Sequence, residues 1–260
     1  MPKTSWRVIG KISRPLGPVW VVIRRKRGKK QKGYFKFATR KNQKRVGPLL
    51  ANEMISYRLG NLLKLNVATI LRARIKGKQG TVSLVKPARN HYTWKQLDKK
   101  LEHPVIYYIK NRKELLKTLV FDMWICNLDR HGDNLIVYPT GTKLNFYLID
   151  HGLALLGAVK WRKEEWDSPY WNHVTKYNKH YPSGLIPYIY SYRQLSPYVQ
   201  MIQNTPVSKI KQVVNSTPAS ILPARSKRVV IKLLLKRQKK LDVIVRLWFK
   251  EYFRTKKPLK

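Results

Sequence analysis

Acidic residues are scarce in this 260-residue chain: 13 Asp and Glu stand against 55 Lys and Arg, a formal net charge of +42. Self-repulsion at that level opposes compaction and favours polyanionic partners such as nucleic acid or acidic lipid, while saying little about fold. Cysteine is nearly absent. Cys126 alone excludes an internal disulfide and any multi-cysteine zinc site, fits a reducing compartment, and reads as a small buried hydrophobe. Long apolar runs are missing too. No stretch of about 18 uncharged apolar residues could span a bilayer. The start MPKTSWRVIG lacks the apolar core of a secretory signal, so a cytoplasmic protein is expected. Internal repeats and low-complexity linkers are also lacking. What is present is 43% hydrophobic and 11% aromatic residues, which argues against disorder and for a globular protein with a basic surface.

The first third reads as strands. VWVVI (19 to 23) and GYFKFA (33 to 38) are β-branched and aromatic runs flanking RRKRGKKQK, a hairpin tip whose turn Gly28 and Gly33 would allow. As a charge run, the tip reads first as a solvated loop that would add to a nucleic-acid surface. GPLLANEMISYRLGNLLKL has helical spacing at Leu50, Met54 and Tyr57, with Glu53 next to the apolar face. TVSLVKPA (81 to 88) is a strand stopped by Pro87. From Lys113 the pattern turns helical, with Leu116, Leu119, Val120, Met123 and Trp124 on one face, and it ends near Asn127. A polar loop then leads to NLIVY and LNFYLID, two strands around PTGT. Residues 158 to 192, dense in aromatics and Pro, have no period and are expected to form a long, partly ordered excursion with its tryptophans as core or lid. Ser196-Pro197, Thr205-Pro206 and Thr217-Pro218 each put a capping side chain before Pro at a first helical position, and a last helix runs from about Ser226 to Phe253.

In so basic a chain, the carboxylates of ICNLDRHGDNLIVYPTGTKLNFYLIDHGLAL (125 to 155) call for a reason. Asp129 falls in the loop after the helix and Asp150 at the end of the second strand. Both abut apolar runs, and burying an unpaired charge is costly. Asp129 and Asn134 are spaced like the base and metal-binding amide of a phosphoryl-transfer loop, and Asp150 is placed to bridge a divalent cation to phosphates. Mg²⁺ suits this all-oxygen set. An ATP site also needs a strand Lys on the phosphates and a helix carboxylate to orient it; Lys36, between apolar neighbours in YFKF, and Glu53 fit. The structural alternatives are an Asx turn at Asp129 and Asn134, a Lys-satisfied Asp150, and an ordinary Lys36–Glu53 ion pair. His131 and His151 make a poor zinc site without softer ligands and read as loop residues. The remaining histidines read as surface residues, and Asp133 as solvent-facing.

LDRHGDN…LIDHGLAL resembles the HipA-like kinases and, more distantly, the phosphoinositide 3- and 4-kinases, whose catalytic loop runs Asp-Arg-His-x-x-Asn. YFKF…NEMISYRLGNLLKLNV is similar to the Lys strand and Glu helix of HipA-like domains, and LLLKRQKKLDVI to their closing helix. The resemblance implies a two-lobed α+β protein-kinase-like fold, with an N-terminal antiparallel sheet lobe (1–88) that binds nucleotide and a mainly helical catalytic lobe (89–260). It implies Asp129 as catalytic base, with Arg130 and His131 completing the loop. Asn134 and Asp150 would be metal ligands, and Lys36, oriented by Glu53, would hold the ATP phosphates. No Gly-x-Gly-x-x-Gly precedes Lys36; Gly10 and Gly17 are the candidates for a phosphate cover.

The leading expectation is an ATP- and Mg²⁺-dependent kinase acting on a hydroxyl of a protein Ser or Thr. The alternatives are a lipid or small-molecule kinase, and a basic module binding nucleic acid or another polyanion without turnover.

Overall fold

The computed structural model describes residues 5–14, 17–86, 90–162 and 185–255. The fold is α+β. A five-stranded antiparallel sheet comes first, built from β1 (Arg7–Ile12), β2 (Val19–Lys26), β3 (Lys29–Phe37), β4 (Ile70–Ile75) and β5 (Lys78–Leu84) in the order β1-β2-β3-β5-β4. Period-2 alternation gives it an apolar face. Trp20, Val22, Phe35, Phe37, Ile75 and Val82 form one cluster there, with the Trp20 and Phe37 rings 4.8 Å apart. Lys36 lies on the opposite face.

The β2–β3 turn is tighter than the sequence suggested. It uses Arg27 and Gly28, both at positive φ (49° and 75°), as a two-residue hairpin turn requires. Gly33 has no part in the turn. It is buried inside β3 opposite Leu84, where an added Cβ would lie 2.4 Å from Val82 Cγ1. Gly80, opposite Phe37 on β5, is more confined: its Cβ would lie 2.1 Å from the Lys36 carbonyl oxygen and 2.7 Å from the Phe35 ring. Gly80→Ala should therefore destabilise the protein by about 1–3 kcal/mol through overpacking, read as a lower midpoint in thermal melting.

Between β3 and β4 lie α1 (Arg40–Val46) and α2 (Leu49–Leu62). The pattern of the sequence did not point to α1, although Thr39 and Asn42 form a capping box at its start. Ala51, Ile55 and Leu59 of α2 join the large core that also holds the C-terminal helices. After α2, the Ala68 N–H donates to the Leu148 carbonyl (2.9 Å) and the Leu148 N–H to the Asn66 carbonyl (2.8 Å). The segment leaving α2 is thus laced to the strand that ends just before Asp150.

The rest of the chain begins with β6 (Tyr92–Thr93) and the short α3 (Trp94–Asp98), then α4 (Lys113–Trp124), β7 (Leu135–Thr140) and β8 (Lys143–Leu148), with β6-β7-β8 forming a second sheet. α5 (Leu156–Arg162), α6 (Leu185–Tyr188), α7 (Ser196–Gln203), α8 (Val207–Asn215) and α9 (Ala224–Thr255) follow. α4 is buried on every side from Leu115 to Trp124, not on one face, because α7 and α9 pack against it. Its last carbonyls, orphaned at a helix end, are met by Arg237 of α9, whose Nε lies 3.0 Å from Met123 O and 3.1 Å from Trp124 O.

The proline caps do not form as expected. Leu195 caps α7, and Thr205 donates its hydroxyl to the Met201 carbonyl. Thr217-Pro218 opens a turn, and α9 starts only after Pro223. In each case the hydroxyl finds another use or the chain turns before a helix begins. His91 is half-buried against the Tyr138 and Tyr147 rings and is no surface residue. Pro87 and the core of the aromatic excursion, 163–184, lie outside the described residues. Cys126 is buried, and no helix among the described residues is long and apolar enough to cross a membrane.

Candidate active site

Three distant segments meet at one ammonium. Lys36 Nζ, on β3, lies 2.7 Å from Glu53 Oε1 on α2 and 2.7 Å from Asp150 Oδ1 just after β8. Burial alone would lower the Lys36 pKa, but Asp150 and Glu53 override it and raise it. Glu53 is almost fully buried, and burial raises its pKa against the opposing pull of Lys36; its Oε2 also accepts the His151 N–H at 3.2 Å. Burial pushes Asp150 up as well, yet the Lys36 ammonium and its hydrogen bond outweigh this and hold the carboxyl below its ordinary value. Its side chain remains 41% exposed. Since one ammonium serves two carboxylates, the trio carries a surplus negative charge. Asp150, on the open side, is the member that could share it with a cation.

Asp150 sits at φ 58°, the left-handed region that Asp and Asn tolerate better than most residues. This turns the chain sharply after β8. The next residues pack tightly: Asn52 donates to the Gly152 carbonyl (2.9 Å), and a Cβ on Gly152 would lie 2.9 Å from Leu49.

The loop between α4 and β7 carries the other candidates. Asp129 is half-buried, and its carbonyl accepts from Asn134 Nδ2 at 2.8 Å. That contact occupies the nitrogen end of the Asn134 amide and leaves Oδ1 as the end that could ligate a cation. Asn134 closes a 3-10 turn, Gly132–Asn134, and its carbonyl accepts the Ile149 N–H at 3.1 Å, so it lies across from the residue preceding Asp150. His131 is partly exposed and accepts the Asp133 N–H at Nδ1 (3.2 Å). Asp133 is half exposed and also engaged, accepting from the Thr93 hydroxyl at 3.1 Å and lying 3.6 Å from Lys95 Nζ.

Arg130 faces away from this opening. It is 1% exposed, and its guanidinium holds Asp122 through Nε (2.9 Å) and Nη2 (3.1 Å), with Nη1 on the Asn134 (2.9 Å) and Ile149 (3.1 Å) carbonyls. Its Nη2 also lies 2.8 Å from His151 Nε2, so that ring nitrogen accepts and the proton sits on Nδ1. Burial, reinforced by the guanidinium, drives the His151 pKa well below its ordinary value. Arg130 therefore ties α4, the loop and the end of β8 into one body. Asp122 and the partnering of His151 were not singled out from the sequence. The available signal for Asp122 was a carboxylate inside the apolar run LVFDMW, eight residues before an Arg.

Of the seven candidate residues, Lys36, Glu53 and Asp150 meet directly. Asp129, His131 and Asn134 line the neighbouring loop, and Arg130 braces it from behind. The oxygen donors are Asp150 and Asn134, and among the described residues no three His, Cys, Asp or Glu side chains gather as a metal cage. So sparse a set fits Mg²⁺, which one or two carboxylates hold together with phosphate oxygens and water.

This is the HipA-like kinase fold. A Helicobacter pylori proinflammatory kinase, CtkA, superposes with a TM-score of 0.65 at 13% identity over 95% of this chain and 96% of its own. HipA of Shewanella oneidensis, solved in a toxin–antitoxin complex with HipB and operator DNA, gives a TM-score of 0.55 at 15% identity over 95% of this chain and 75% of its own. No protein-family model and no curated protein matches the sequence.

Proposed function

We propose that the chain is an ATP- and Mg²⁺-dependent kinase transferring the γ-phosphate to a hydroxyl, with protein Ser or Thr as acceptor. The observation that carries this reading is the meeting of Lys36, Glu53 and Asp150 from a strand, a helix and a strand end. A structural ion pair needs two partners. A phosphate-holding Lys needs one carboxylate to orient it and leaves the second for the metal. In this reading residues 1–88 form the nucleotide-binding lobe and 89–260 the catalytic lobe, working in the cytoplasm.

Glu53 fixes the Lys36 ammonium so that it can reach the nucleotide phosphates. Asp129 accepts the proton of the attacking hydroxyl, and the Asn134–Asp129 hydrogen bond keeps base and amide in register. Asp150 and Asn134 would hold Mg²⁺, which when bound neutralises charge on the phosphates. Arg130, buried against Asp122, positions this loop without touching substrate. The likeness to a bacterial kinase supports the reading at the level of fold.

The direct test is labelled ATP with Mg²⁺, following transfer to the chain itself, to water and to protein acceptors. Magnesium-dependent transfer supports the assignment, and a wild-type protein that binds no Mg²⁺-ATP defeats it.

Lys36 supplies a further check. Lys36→Ala strips Glu53 of its cation and should lower the melting temperature. More tellingly, it should abolish the upward shift that Mg²⁺-ATP gives the wild type, since a ligand stabilises only the form that binds it. Glu53→Ala should show the same effect, smaller in size. If both variants melt early yet gain as much from Mg²⁺-ATP as the wild type, the pair is purely structural.

A further inference from the structure

We propose that the β2–β3 hairpin is a cationic ribbon that enters the major groove of double-stranded DNA, contacting phosphates without sequence preference. The proposal rests on how the hairpin stands in the sheet and does not depend on the kinase reading.

β1 pairs with β2 only as far as Arg7↔Ile23, and β5 pairs with β3 only from Gly33↔Leu84. One further bond, the Val85 N–H on the Lys32 carbonyl (3.0 Å), lies past that line. From Arg24 and Gln31 outward the paired main chains are those of the two strands alone, through Arg24↔Gln31, Arg25↔Lys30 and Lys26↔Lys29. A segment that reads from sequence as a solvated loop is therefore an ordered two-stranded ribbon. Its root is fixed: Arg24 donates to Gln31 Oε1 at 2.8 Å and stacks 4.4 Å over the Trp6 ring. From Arg24 to the tip it reaches roughly 10–13 Å at about 3.3 Å per residue. The major groove of B-form DNA is about 12 Å wide and 8.5 Å deep and admits a two-stranded β-ribbon.

The charges are arranged at a cost to the free protein. Arg25 faces Lys30 and Lys26 faces Lys29, and like charges directly opposite on paired strands are destabilising. Arg25, Lys26, Arg27, Lys29, Lys30 and Lys32 are all exposed. Among the described residues no acidic side chain pairs with them, and none is near in sequence: Glu53 is the first carboxylate in the chain and is buried beneath Lys36, and the next is Asp98. A polyanion would supply the missing counter-charge.

The distribution selects among polyanions. Alternation along the strands puts Lys26 and Lys29 on one face of the ribbon and Arg25, Lys30 and Lys32 on the other. Flat adsorption to a lipid surface uses one face, whereas a groove walled by two phosphate strands uses both. The ribbon from Arg24 to Lys32 also has no aliphatic or aromatic residue, so it offers neither an apolar anchor for a bilayer nor a stacking platform for single-stranded bases. The major groove of A-form RNA is too narrow for side chains to read.

The test uses the full chain and a labelled DNA duplex, with anisotropy titrations across a series of salt concentrations. The wild type should show log-linear weakening with salt. Lys26→Gln, Lys29→Gln and Lys30→Gln together, with the Arg27-Gly28 turn untouched, should bind at least tenfold more weakly. The salt slope should become shallower by about 0.9 for every phosphate that the variant no longer neutralises. Relief of the cross-strand repulsion should leave this variant's melting temperature at or above that of the wild type. Lys232→Gln, Lys236→Gln and Lys240→Gln on α9 remove the same charge and should bind like the wild type. Equal weakening by both triples, or tighter binding to an RNA duplex, to the DNA single strand or to phosphatidylserine vesicles, overturns the proposal. Lysine acetylation of the wild type gives an independent reading: duplex DNA should protect Lys26, Lys29 and Lys30, and their full reactivity in the complex overturns it equally.

Discussion

Asp129→Asn should bind Mg²⁺-ATP as the wild type does and transfer phosphate roughly 10²–10⁴-fold more slowly. That is the usual contribution of a general base, which acts only as the hydroxyl proton moves. The swap is nearly isosteric, and it leaves in place the main-chain bonds from the Asp129 N–H to Asn127 Oδ1 and from Asn134 Nδ2 to the Asp129 carbonyl. Asp150→Asn should differ in kind. As the proposed metal ligand, its carboxylate would meet a cation in the ground state, so this variant should lose turnover and also the magnesium dependence of nucleotide affinity. Asn tolerates the left-handed backbone at this position, so the turn survives. Calorimetry of ATP binding with and without Mg²⁺, beside single-turnover transfer, separates the two. An Asp129→Asn protein with undiminished transfer would remove it as the base. An Asp150→Asn protein that still needs Mg²⁺ to bind ATP would move the metal elsewhere.

The parts legible in the sequence were those whose local signal and tertiary role agree. β2, β3, α2, the β7–β8 hairpin and α9 all carry clear periodicity. The spacing of Asp129, Asn134 and Asp150 survives because one loop and one hairpin set it. Lys36 and Glu53 were picked as a pair, but that Lys36 also binds Asp150, 114 positions away, is a product of topology that no local pattern encodes. Gly33 was misread because a glycine beside a charge run looks like a turn residue; its real reason is the Val82 side chain of the neighbouring strand, invisible in sequence. Arg130 was grouped with the catalytic residues by its place in the loop. Its orientation depends on Asp122, and α4 could be seen as buried on all sides only once α7 and α9 were in place.

Asp122→Asn tests that hidden brace. Asp122 is fully buried and takes the Arg130 guanidinium on both oxygens, with Asn127 Nδ2 on Oδ1 at 2.7 Å. Neutralising it leaves the guanidinium buried without that counter-charge, and breaking a buried pair from one side typically costs about 3–5 kcal/mol. At roughly 2–4 °C per kcal/mol for a chain near this size, melting should fall by on the order of 10 °C. Asp122→Leu combined with Arg130→Met removes both charges and should recover part of that drop. The recovery stays partial because the Ile149 carbonyl loses the Arg130 donor and the Asn134 carbonyl keeps only the Ile149 N–H. Turnover should not recover with stability, since those same two hydrogen bonds hold Asn134 and the residue before Asp150 in place; kcat should drop while nucleotide KM changes less. A single variant that melts with the wild type would show that Asp122 is not the counter-charge that keeps Arg130 buried. A double variant with normal kcat would show that the loop keeps its geometry without the brace.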